Sequence, residues 1–463
     1  MYTFHFFDWI ILFLYILSII YLGFIQKNKT SDSDRGFILS GRKLSITGFI
    51  ATLVTTWYGA ILGIGENTVL YGIQTWLIFS FPYYIFALIY ANWIAPKIRQ
   101  AGYLSIPEQF RTYYGNKASI IAALIISFLS SPAPYILSLG ILIEFLFGIK
   151  IGLALIISTL FSVLYVWNGG FSAVVRTDIF QFMLMFLCFF LILLYLSIYI
   201  ASPIQMISKL PDSYIDPLGG NTIQYVLVWF FIASWTFIDP GFYQRCAAAE
   251  SPETARKGIF FAVCFWAIFD FLSITTALYA VGIINTENAL LAYPILAYKI
   301  LPAGVFGLFI TGIVAVLMST IDSLSLICAI SFGRDILWRI QPQPEKLNPL
   351  IYIRRGLVII SIISLFLAYL LPSVVKLFYL LGSLLIPGLI LPFLLTLREN
   401  GKRMKNFGVQ WIILPIIISG IWFGISNLIG HPLFNIEPFY PGLISSLAYF
   451  FIKRKGTHSW QLK

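Results

Sequence analysis

Apolar runs of about 20 residues recur from one end of the chain to the other, the length that crosses about 30 Å of hydrocarbon as a helix. Short polar stretches between them carry most of the lysines and arginines. Backbone polar groups find no water in a bilayer core, so each run is predicted to be helical, giving about thirteen spans and an all-α polytopic membrane protein. Thr3 to Ile25 reads as a span rather than a signal peptide. Its apolar run is too long, no basic start precedes it, and no small-residue cleavage site follows.

Five spans depart from uniform hydrophobicity. Span two, from near Leu44, carries Thr52, Thr55, Thr56 and Tyr58, then Gly59, Gly63, Gly65 and Glu66. This predicts either a discontinuous helix that exposes backbone carbonyls or a continuous one with a small-residue packing face. Span four contains Ser130-Ser131-Pro132-Ala133-Pro134, a predicted kink. Span seven contains Trp235 and Asp239-Pro240-Gly241, which should break it and free carbonyls. Span nine carries Ser319-Thr320-Ile321-Asp322-Ser323, with Ser319, Asp322 and Ser323 on one helical face and Thr320 about 100° around the axis. Oxygen ligands hold hard cations, and an ionisable residue inside a span is costly unless it has a function or a partner. A polar helix–helix contact is the competing reading of the hydroxyls. Span six brings Asp178 about two turns in from its start, so two carboxylates from distant positions are expected to share one half of the bilayer and a cation; pairing of Asp178 with Arg176 is the alternative.

Composition agrees with this pattern: 463 residues are 59% hydrophobic, 17% aromatic and 11% charged. The net charge of +11 suggests nucleic acid only until the charges are placed. Placed against the spans, all but Lys150, Lys209, Lys299 and Lys376 fall on the same side. That asymmetry predicts an external N-terminus and a cytoplasmic C-terminus, with no nucleic-acid partner. Cys188, Cys246, Cys264 and Cys328 lack metal-ligand spacing, and no HExxH, GxSxG or phosphate-binding glycine loop is present. Ser105-Ile106-Pro107-Glu108 reads as the capped start of an interfacial helix.

Spans two to six start on one side of the membrane and spans seven to eleven on the other, and each set of five opens with an interrupted helix. This is the hydropathy signature of an inverted repeat, whose site lies near the midplane where the broken helices face each other. The expected divisions are 1–43 (first helix and basic loop), 44–199 (first repeat), 200–396 (second repeat) and 397–463 (two further helices and a tail).

Three stretches resemble the sodium:solute symporter family, which includes sodium/glucose, proline and pantothenate carriers: Ala315 to Ser323, Gly169 to Gln181, and Tyr243 to Ala249. The resemblance implies a LeuT-type five-plus-five fold and sodium-coupled import of a small organic solute by alternating access, not an enzyme. It implies a sodium ion held by the carbonyls of Leu53, Thr56 and Val316 and the hydroxyls of Ser319 and Thr320. It also implies a second cation at Asp178 with Ser319 and Ser323, where this chain places Asp322 in position of a hydroxyl. Solute contacts are expected from Thr55, Trp57, Tyr58 and Trp235. A solute sensor that keeps the fold without coupled transport is the alternative; the short tail after Lys453 argues for the transporter.

Overall fold

The structure, a computed structural model, describes residues 4–24, 34–284, 288–370, 374–398 and 407–458. All named regular elements are helices, joined by one isolated β-bridge between Leu44 and Ala249. The predicted spans appear in order. Span one is Phe6–Phe24, span two Ile46–Trp57 and Ile61–Tyr71, and span three Gln74–Phe79 with Phe81–Trp93. Span four is Asn116–Leu129 with Ala133–Phe147, and spans five and six form Ile151–Tyr199, broken at Gly170. Span seven is Ile223–Ile232 with Pro240–Ala248, span eight Pro252–Ile283 and span nine Val305–Ala329, continued by Ile330–Trp338. Pro349–Leu370, Val374–Thr396, Gln410–Ile429 and Phe439–His458 follow.

Eleven described stretches are long and apolar enough to cross a membrane, fewer than the sequence expectation. The difference lies in span five, whose described apolar part is the short helix Ile151–Leu160, and in the basic last helix. Span nine is 89% buried against 22% for span one, so the helix with the oxygen-rich turn is the central one.

The predicted interruptions are real backbone features. Tyr58–Ala60 winds as a 3₁₀ turn in span two, and Ala233–Ile238 does so in span seven before Asp239 turns extended. Asp239 then caps the second half of span seven, its Oδ1 accepting the Phe242 N–H at 2.8 Å. Gly170 has φ 53°, a left-handed conformation that lets the chain turn sharply between spans five and six.

The broken helices run in opposite directions. Leu44 N–H donates to Ala248 O at 3.0 Å and Glu250 N–H to Leu44 O at 3.2 Å, joining the start of span two to the end of span seven. At the other end of span two, Ile73 N–H donates to Tyr214 O at 2.9 Å, in the segment that precedes span seven. An interfacial helix, Ile106–Tyr114, starts as expected, with Ser105 Oγ accepting the Glu108 N–H at 3.2 Å. Glu108 reaches Arg334 at 3.3 Å and Arg339 at 3.7 Å, while Ser105 Oγ donates to Asp335 at 2.6 Å. Burial alone would raise the Glu108 carboxyl, but Arg334, the Leu104 N–H and Arg339 hold it below the usual carboxylate value. This latch therefore stays charged at neutral pH and dissolves only as pH falls through that lowered value.

Candidate functional site

Where span nine passes the break in span two, a span-nine hydroxyl reaches the span-two backbone. Thr320 Oγ1 lies 3.0 Å from Thr56 O, 3.4 Å from Thr55 O and 3.2 Å from Val316 O. Gly59 makes this approach possible: a Cβ there would stand 2.5 Å from Thr320 Cβ, Cγ2 and Oγ1. Thr56, Val316 and Thr320 thus meet in one turn. The side chain of Leu53, one turn before Thr56, lines the adjoining cavity.

Ser319 points the other way, toward span six. Its Oγ donates to Asp178 Oδ1 at 2.6 Å, and the Thr52 hydroxyl donates to Oδ2. Arg245 stands 4.0 Å from Asp178, and both side chains are fully buried. Arg245 Nη2 donates to Thr52 O at 3.0 Å, Thr52 Oγ1 at 2.8 Å, Thr56 Oγ1 at 2.7 Å and Ser323 Oγ at 3.1 Å. Nη1 donates to Gly241 O at 3.1 Å. One guanidinium therefore ties spans two, seven and nine together beside a span-six carboxylate. Arg176 does not pair with Asp178; its Nε donates to Leu22 O at 3.1 Å.

Asp322 is as deeply buried as Asp178, yet neither of its carboxylate oxygens has a hydrogen-bond partner among the described residues. Both carboxylates act electrostatically on Tyr15. Gln181 Nε2 donates to the Tyr15 hydroxyl at 3.0 Å, and Gln181 Oε1 is also without a partner.

Beside the break lies a cavity of about 150 Å³, whose wall includes Trp57 and Trp235 as expected. Two other expected contacts are corrected. Thr55 is buried away from the cavity, its hydroxyl bonding back to Ala51 O at 2.9 Å. Tyr58 donates to Trp266 O and Asp270 Oδ1, each at 2.9 Å, and packs on Phe269. Both lie outside the cavity wall because the helix rotates Trp57 inward and its neighbour outward. Asp239, Tyr83 and Tyr135 also line it without having been singled out as contacts.

Arg245 was the larger omission. Counted with the loop charges after span seven, it is instead 0% exposed, so it carries no topological signal. The signal that could have found it was an arginine within Pro240–Ala248, next to a proline break.

The profile of the Sodium:solute symporter family matches residues 37–411. The chain belongs to this family. Sodium is its co-transported ion and sodium-coupled symport its class of activity. A sodium/pantothenate symporter of Haemophilus influenzae is 24% identical over 77% of this chain and 76% of its own length. A high-affinity choline transporter of Caenorhabditis elegans is 21% identical over 95% of this chain and 81% of its own. Among solved structures, a Na+-coupled sialic acid symporter in a substrate-bound outward-open state superposes with TM-score 0.78 and 16% identity, covering 96% of each chain. That likeness gives the LeuT-type fold.

Proposed function

We propose that sodium binds where spans two and nine meet, through the carbonyls of Leu53, Thr56 and Val316, the Thr320 hydroxyl and the Ser319 hydroxyl once it turns from Asp178. The single observation that carries this is the convergence of Thr320 Oγ1 with Thr56 O and Val316 O at a helix break that Gly59 keeps open. A second cation goes to Asp322, with Ser323 and Asp178 on neighbouring faces. Its support is a buried carboxylate without a donor, which in a bilayer must find a cation or a proton.

The solute occupies the cavity lined by Trp57 and Trp235, next to the sodium turn, and crosses by alternating access of the two repeats, 44–199 and 200–396. The chain sits in a plasma or inner membrane, N-terminus outside and C-terminus in the cytoplasm, a reading supported by the basic residues of the alternate loops. The relatives do not specify the solute, since pantothenate carries a carboxylate and choline an ammonium. Coupling is energetically sufficient. One sodium ion moving down about 100 mV releases about 2.3 kcal/mol, and a tenfold gradient adds about 1.4 kcal/mol.

Uptake of a labelled panel of sugars, amino acids, carboxylates and amines into proteoliposomes, with and without an inward sodium gradient, tests this reading. Sodium-stimulated uptake of at least one solute is expected; none across the panel would refute it.

A further inference from the structure

The cavity beside the break in span two has an aromatic wall and one carboxylate. Trp57, Tyr83, Tyr135, Trp229 and Trp235 supply most of the ring faces. Trp57 and Tyr83 meet edge to face with centroids 4.7 Å apart, so two walls join at a corner. Asp239 reaches the same space and is only partly buried. Its charge acts on both Tyr83 and Tyr135.

Several of the other polar groups of the wall are committed elsewhere. The Thr56 hydroxyl donates to Ser323 at 2.9 Å and the Thr236 hydroxyl to Ala233 O at 2.9 Å. Arg245 also borders the cavity; both its terminal nitrogens donate to Gly241, Thr52, Thr56 and Ser323, while its buried Nε and the Trp229 indole N–H have no partner among the described residues. A carboxylate would find both terminal guanidinium nitrogens already donating. Charge points the same way. Asp178 and Asp239 both act on the single Arg245 guanidinium, so the two carboxylates exceed it by one negative charge.

Aromatic faces carry negative potential and attract cations, most strongly where water is excluded, and several faces around one space make a cage for a quaternary ammonium group. Deepening the proposal that this cavity takes the solute, on which it rests, we infer that the solute is a small organic cation, a quaternary or tertiary ammonium, with its positive centre between Trp57, Tyr83 and Trp235 and facing Asp239. The volume of about 150 Å³ lies below that of cavities for drug-sized ligands, which limits the solute to a compact ion.

Tritiated choline is the probe, offered to the full-length protein in proteoliposomes under an inward sodium gradient. The decisive competitor is 3,3-dimethylbutan-1-ol, which keeps the shape of choline with carbon in place of the charged nitrogen. Sodium-stimulated choline uptake is expected, with the neutral isostere at least about tenfold weaker as an inhibitor. Trp57→Leu and Trp235→Leu should each raise choline half-saturation about tenfold, while Trp57→Phe, which keeps a ring face, should change it less. Asp239→Asn can still accept the Phe242 N–H as a helix cap, so the fold is kept while the charge goes; choline affinity should fall about tenfold and that of the isostere should not move. Equal inhibition by the isostere overturns the inference, as does failure of both choline and tetramethylammonium to bind or be transported. Binding of radioactive sodium to the purified protein, with Thr320→Ala as control, separates the two levels. Sodium binding that persists while the ammonium probes fail removes only the cage. Loss of sodium binding together with all sodium-stimulated uptake removes the symport site as well.

Discussion

Asp178 and Asp322 are both carboxylates with no exposed surface, on adjoining helices, and their surroundings are opposite. Asp178 accepts from Ser319 and Thr52 and faces Arg245, whereas Asp322 accepts from nothing among the described residues. A buried charge with donors and a counter-charge is part of the framework. A buried charge without them waits for something that comes and goes, which is the requirement for a transported ion. The comparison thus separates structural electrostatics from coupling electrostatics within a few turns of helix.

The largest effect should come from breaking the compensated side. Arg245→Ala leaves Asp178 without its counter-charge and several oxygens without their donor, and is expected to cost about 3–5 kcal/mol, read as early thermal unfolding in detergent. Asp178→Asn added to it should recover part of the loss, because the uncompensated charge is gone; a double variant no better than the single one would contradict the pairing.

Next come the proposed ion ligands. Thr320→Ala should raise the sodium half-saturation of uptake by about tenfold or more, equivalent to about 1.4 kcal/mol, and Ser319→Ala should act in the same direction. Unchanged sodium titrations at normal expression would remove these two hydroxyls from the site.

Asp322→Asn sharpens the contrast most directly. Removing an unpartnered buried charge should leave the sodium-free protein as stable or raise its melting temperature by a few degrees, roughly 2–4 °C per kcal/mol, whereas Asp178→Asn should lower it. Wild-type uptake should depend sigmoidally on sodium, and the Asp322 variant hyperbolically. A hyperbolic wild type would assign Asp322 a proton instead of a second sodium.

The smallest effect is on topology. Lys209→Cys and Lys257→Cys, both at exposed positions, should leave transport unaltered and label from opposite sides of the membrane. Labelling of both from one side would refute the span order between them.

Much of this architecture could be read without coordinates because membrane helices announce themselves by length and their breaks by glycine and proline. The interruptions at Tyr58–Ala60 and Ala233–Ile238 lie where the polar and small residues predicted them. Ser319 and Thr320 could be singled out as candidates because hydroxyls next to a carboxylate are conspicuous in an apolar helix. What escaped depends on rotation about the helix axis and on contacts between distant segments. Thr55, Trp57 and Tyr58 are sequence neighbours, yet only Trp57 faces the cavity, and Tyr58 goes to Asp270, more than 200 residues away. Arg245 escaped because a cation near a span end looks the same in sequence whether it sits in the loop or folds back into the bundle.

Gly59 has a consequence for how such a chain can change over generations. Because a Cβ at this position would overlap the Cβ of Thr320 as well as its outer atoms, trimming Thr320 to serine or alanine makes no room. Only a glycine at 320 would, and that deletes the hydroxyl. Position 59 is therefore closed to single substitutions and to every stepwise route that keeps the hydroxyl, unless spans two and nine first move apart. A saturation library at this codon should return glycine alone among transport-competent clones, however permissive the surrounding helix proves to be.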